Sequence, residues 1–233
     1  MSNYSSIRKE NQLYRIVEAL VLYFVIFFPG ITAAPTPEWL VNGTEAVQAI
    51  PFSMYHILGR MVSYTLPALL LVLFFVSKDI KEIKALIPRT ADIIPFIITL
   101  PGLIILGFLT SVSFTFFWES PPSPLVEGPA HSAGWLAMIA SCLATGYLEE
   151  TYFRYYLLSR LKSLTPFPVV QALLSALLFA VCHLYYGPGA ILNAACAGLL
   201  LSFMMIRFKS LPGIALAHAC YNMFVYASGV IGR

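Results

Sequence analysis

The sequence predicts an all-α protein, a polytopic transmembrane helical bundle of about seven spans. Three observations carry that expectation. Of its 233 residues, 59% are hydrophobic and 11% are charged, where a soluble domain carries about 25% charged residues. The mean hydropathy is +0.79. Apolar runs recur along the whole chain at close to the ~20 residues a helix needs to cross a bilayer, and strands of a membrane barrel would be shorter and alternating. The net charge of +3 is small, and no basic patch is interleaved with aromatics, which argues against a nucleic-acid partner.

A polar start with Arg8 and Lys9 leads into a first run over 13–33, interrupted by Pro29-Gly30. This run is too long, and too poorly followed by small residues, for a removable signal peptide, so it reads as a retained helix. The Pro-containing segment 34–51 follows and has neither Lys nor Arg. A second run covers 53–77. The basic stretch from Lys78 to Arg89 has the pattern of a short amphipathic surface helix. The third run, 93–118, contains Pro95 and Pro101 as expected kinks. A Pro-rich acidic loop at 119–132 precedes the fourth run, 133–158. The fifth run covers 168–186, the sixth 190–208 and the seventh 213–231. An eighth helix would have to lie in 34–51. Lys and Arg fall at the N-terminus and after the second, fourth and sixth runs, while the alternate loops have none. By the positive-inside rule the N-terminus is cytoplasmic and the C-terminus external, in a cell membrane. Arg60 and Arg233 stand outside this pattern, and Arg60 would snorkel or pair. Residues 1–233 read as a single integral membrane domain.

Within this apolar background the fourth run holds Gly146-Tyr-Leu-Glu-Glu-Thr-Tyr-Phe-Arg154. Charges at membrane depth cost several kcal/mol each (~2.5–3.5 on insertion scales) and read by default as functional. Glu150 and Arg154 are i and i+4 and share a helix face. Glu149 is turned roughly 100° away, which leaves one acid without that partner. The fifth run places Phe179 and His183 one turn apart, and the seventh does the same for His218 and Asn222. Asn193 stands alone on the sixth run and reads first as a helix–helix contact. Cys142, Cys182, Cys196 and Cys220 lie inside apolar runs and read as packing residues. Cys182 beside His183, and Cys220 near His218, suggest a metal site, but neighbours one or two residues apart do not share a helix face. Counted along ideal helices, Glu149 lies about 16 Å above Arg160, His183 about 22 Å above Pro168 and His218 about 9 Å above Pro212. A single site requires these depths to agree.

This set suits a particular chemistry. A carboxylate and an imidazole on different helices can hold one water, and the carboxylate can take its proton. A His with an Asn one turn on can donate hydrogen bonds to a developing oxyanion. That describes amide hydrolysis without a covalent intermediate. There is no G-x-S-x-G and no HExxH, and no Asp pair stands in a membrane run.

Glu149-Glu150-x-x-x-Arg154, Phe179-x-x-x-His183 and His218-x-x-x-Asn222, in that order and each on its own apolar run, resemble the three motifs of the CPBP (Abi) family of intramembrane proteases, which includes the type II CAAX-prenyl endopeptidases. The segment Ser210-Leu-Pro-Gly-Ile-Ala-Leu leading into the last motif is similar as well. The resemblance covers about 135–225, the expected catalytic core. It implies an intramembrane endopeptidase acting on membrane-associated peptides or protein tails. In that family's terms Glu149 is the general base, His183 its partner on the water, Glu150 and Arg154 the supporting pair, and His218 with Asn222 the oxyanion site. The family has been described both as metallopeptidases and as glutamate-dependent hydrolases. Zinc would take Glu149, His183 and His218, but a metal-free site is the favoured expectation. A carboxylate ligating zinc cannot readily act as base for the same water, and Asn222 is a poor zinc ligand. A competing reading is a non-catalytic membrane peptide-binding protein, as in bacteriocin self-immunity or a maturation scaffold. A proton-coupled transporter is disfavoured by the short chain without visible repeats.

Overall fold

The structure, a computed structural model, describes residues 2–33, 52–77, 86–118 and 127–231. Among these, nearly all residues are helical and none is in a strand. Every apolar run becomes a helix: α1, Ser2–Ala33; α2, Met54–Ser77; α3, Ile93–Trp118; α4, residues 132–164; α5, Pro168–Val181; α6, Pro188–Phe208; and α7, Leu211–Ile231. Three stretches, Met54–Ser77, Thr90–Phe117 and Pro188–Phe208, are long and apolar enough to cross a membrane. Their outward faces carry Leu70, Phe74, Ile97 and Phe108, all exposed, as lipid-facing side chains are. With the apolar composition, this makes the chain an integral membrane protein. The eighth helix considered for 34–51 lies outside the described residues, as do 78–85 of the basic stretch and 119–126 of the acidic loop.

Two expectations about boundaries need correction. The fourth run does not stop at 158. Helix α4 continues from an α-helical part, Ser132–Glu150, through a wider π-helical part, Thr151–Leu157, into Leu158–Leu164. Arg160 therefore sits inside the helix, 5% exposed, within 3.4 Å of Glu18 on α1. The fifth run does not stay helical to 186. Helix α5 has 14 residues, about 21 Å at 1.5 Å per residue, which is short of the ~30 Å hydrocarbon thickness. It ends at Val181, and the chain turns at Gly187, whose φ of 98° favours a residue without Cβ. The break predicted at Pro29-Gly30 is absent, since α1 runs through it.

Helix α4 lies at the centre. On one side α7 crosses it at Gly146, where a Cβ would come within 2.9 Å of the Ala215 carbonyl. On the other side tyrosine hydroxyls tie neighbouring helices by donating to main-chain carbonyls: Tyr152 to Ala19 at 2.7 Å, Tyr23 to Leu178 at 3.0 Å and Tyr64 to Ile26 at 2.6 Å. The Tyr156 hydroxyl donates to Glu18. Such bonds satisfy polar groups that lipid cannot. Asn193 does the same between helices. Its amide donates to the Tyr221 hydroxyl at 3.0 Å, and its oxygen accepts from Thr110 at 3.2 Å, so α3, α6 and α7 meet there. Asp92 locks the approach to α7, accepting from the Ser210 hydroxyl and, at 2.7 Å, from the Arg89 N–H.

Candidate active site

The two glutamates stand at the end of the α-helical part of α4, just before its ladder widens at Thr151. Such π segments are rare and occur often at functional sites. Glu150 and Arg154 are 0% and 1% exposed, and Arg154 Nε lies 3.3 Å from Glu150 Oε2. These atoms approach as an ion pair but lack hydrogen-bond geometry. The guanidinium is held in two further ways. It donates to the Gly198 carbonyl of α6 at 3.4 Å, and it lies 4.4 Å from the centre of the Phe179 ring, a desolvated cation–π contact worth about 2 kcal/mol.

Phe179 is thus more than a spacing marker. Its ring centre is 4.7 Å from that of His183 and 5.9 Å from that of His218, and it is 2% exposed. It joins all three motifs. His183 follows the end of α5, and its Nδ1 lies 2.8 Å from the Phe179 carbonyl. A carbonyl only accepts, so Nδ1 donates, and in the neutral ring Nε2 carries the lone pair.

His218, on α7, bridges the two acids. Its Nδ1 lies 2.8 Å from Glu150 Oε1, and its Nε2 is 3.7 Å from Glu149 Oε2. His218 and Asn222 make no hydrogen bond to each other, and the Nδ1 of His218 is taken by Glu150. Asn222 is half-buried one turn further along α7 and makes no side-chain hydrogen bond among the described residues. The interhelical partner Glu150 takes His218 instead, because the close crossing at Gly146 puts the ring against α4. The depth mismatch counted along ideal helices does not keep these groups apart, since His218 reaches both acids and His183 lines one cavity with Glu149.

That cavity is about 40 Å³, room for a few waters at roughly 10–15 Å³ each. Glu149 and Thr145 of α4 line it, together with His183 and Cys182. The last two are sequence neighbours that a continuous helix would turn apart; they share the cavity because α5 has already ended. Phe27 of α1, Leu148 of α4, and Arg60, Tyr64 and Thr65 of α2 complete the wall. Sequence reasoning missed these five as site residues. Arg60 alone gave a signal, as a charge inside the second apolar run.

The donors that zinc would need do not fit as placed. Among the described residues no three His, Cys, Asp or Glu side chains converge as ligands, so no step below passes through a metal.

Residues 131–224 match the family model described as Type II CAAX prenyl endopeptidase Rce1-like. The chain is similar to that family over this segment. The segment opens at the cap of α4 and closes two residues after Asn222, so it contains all three motifs. Neither a curated protein nor a solved structure gives a significant match.

Proposed function

We propose that this protein is an intramembrane endopeptidase hydrolysing peptide bonds of membrane-associated peptides or protein tails, with Glu149 as general base and residues 135–225 as the catalytic core. The observation that carries this reading is the unequal treatment of the two acids. Glu150 is fully buried between Arg154 and His218, whereas Glu149 faces a water-sized cavity together with His183. A water there donates one hydrogen to the Glu149 carboxylate and the other to His183 Nε2, and its lone pair is turned towards an incoming carbonyl. As the water oxygen bonds to carbon, Glu149 takes a proton. It then returns that proton to the leaving amine as the C–N bond breaks, giving an acid and an amine with no covalent enzyme intermediate. The Asn222 amide supplies N–H donors for the oxyanion. His218 adds a second donor from Nε2 when both its nitrogens are protonated, since Nδ1 is already directed at Glu150.

The experiment is a comparison of membrane peptides and protein C-termini from cells expressing the wild type or Glu149→Gln. Fragments should be present only with the wild type. Identical peptide profiles at equal protein abundance would favour a non-catalytic peptide-binding protein instead.

A further inference from the structure

The cavity that Glu149 and His183 share has a second charged lining residue, and it comes from outside the family segment. Arg60 lies on α2, six residues from the helix start and so about 9 Å along it, in a run otherwise without charge. It lines the same cavity as Glu149 and His183, and its side chain is exposed, so a ligand entering the cavity can reach it. Its guanidinium carbon lies 5.8 Å from the centre of the Tyr64 ring, which lines the cavity too. The local backbone is unusual in a matching way. Arg60 immediately precedes a π-helical turn, Met61–Thr65, as Glu150 immediately precedes the one on α4. The helices bearing the cavity's cation and its carboxylate thus both widen beside it, and π turns concentrate at functional positions. A guanidinium presents a planar fork of donors matched to a carboxylate. In a membrane cavity whose other charge is negative, its complement in a peptide is an anionic group placed away from Glu149.

Resting on the endopeptidase reading above, we propose that Arg60 is a substrate-binding residue that receives a carboxylate of the bound peptide, and so helps select which peptides enter. That carboxylate comes either from the peptide's C-terminus or from an Asp or Glu side chain near the scissile bond. Arg60 then sets binding and position, while Glu149 and His183 carry the proton transfer.

The test measures binding rather than cleavage, with the full chain in lipid nanodiscs and in a Glu149→Gln background so that no probe is consumed. Three fluorescein-labelled leucine–alanine hexapeptides serve as probes: one with a free C-terminal carboxylate, its C-terminal amide, and the amide with one internal aspartate. The free acid should bind about tenfold more tightly than the plain amide, the scale of one charge-assisted contact. Arg60→Gln should reduce that preference to within about twofold, and Arg60→Lys, which keeps the charge but not the fork, should retain part of it. An aspartate probe binding like the free acid assigns the contact to any nearby carboxylate. One binding like the amide assigns it to the chain terminus. Equal binding of acid and amide by the parent protein would overturn the proposal, and so would a preference unchanged in Arg60→Gln. If that variant does not fold, a full preference in Arg60→Lys overturns the forked contact. An Arg60-dependent preference alongside a protein with Glu149 intact that cleaves none of the probes or membrane peptides would refute the endopeptidase reading while leaving this contact standing.

Discussion

Replacing Gly146 by alanine tests how the site is assembled without touching a residue that does chemistry. The new Cβ would lie 2.9 Å from the Ala215 carbonyl oxygen, 3.1 Å from the Ala219 nitrogen and 3.2 Å from the Ala219 Cβ. Ordinary contact begins near 3.4 Å, so α7 must move away from α4 by about half an ångström. The two nearest of these atoms are main chain and the third is a Cβ, so none can swing aside. His218 lies between Ala215 and Ala219 on α7 and moves with them. Its 2.8 Å contact with Glu150 would then lengthen to about 3.3 Å, past the usual 2.7–3.2 Å range. Overpacking of this kind costs about 1–3 kcal/mol, and displacement of a reacting geometry by even 1 Å costs on the order of a hundredfold in rate. Gly146→Ala should therefore lower the melting temperature and reduce cleavage of a reconstituted membrane peptide by about tenfold or more. Gly59→Ala, where a Cβ meets nothing within 4 Å, is the control and should match the wild type in both. Wild-type melting and cleavage in Gly146→Ala would refute the claim that the α4–α7 crossing holds His218 in place.

Other outcomes follow from the same geometry. Glu150→Gln should lower the amount of folded protein in the membrane as well as activity, because it strands the buried Arg154 guanidinium; breaking a buried pair costs about 3–5 kcal/mol, readable by fluorescence-detected size exclusion against Glu149→Gln, which should stay abundant. Purified protein should keep its activity after exhaustive chelation and contain far less than one zinc per chain; activity lost on chelation and restored by zinc would make His183 and His218 ligands. Reporter fusions after Lys162 and Lys209 should read cytoplasmic and a C-terminal fusion external, and a cytoplasmic C-terminus would mean a further span within 34–51.

Much of the site was legible because charge is conspicuous in an apolar run. Glu149, Glu150, Arg154 and the two histidines announced themselves by cost alone, and the Glu150–Arg154 pairing followed from helical spacing. What stayed hidden depends on tertiary crossings. His218 and Asn222 share a helix face, and that register suggested they act together, but the Glu150 partner exists only because Gly146 lets α7 approach. Phe179 could be read as one turn from His183, yet nothing in its spacing reveals that Arg154 packs over its ring. Glu18 was overlooked although it carried the same signal as the motif acids, a charge within the first run; its partner Arg160 was assigned to a loop because the helix was ended six residues early. The early end of α5 was foreshadowed by Gly187-Pro188, but an apolar run does not show where its helix gives way to a turn.

The central claim is that Glu149 activates the attacking water while Glu150 does not. It is tested most directly by single-turnover cleavage of a reconstituted membrane peptide by purified wild-type and Glu149→Gln proteins, matched for folded concentration. Loss of a positioned general base predicts a fall of about a hundred- to ten-thousandfold in the cleavage rate with peptide binding retained. A Glu149→Gln rate within a few-fold of the wild type would contradict it.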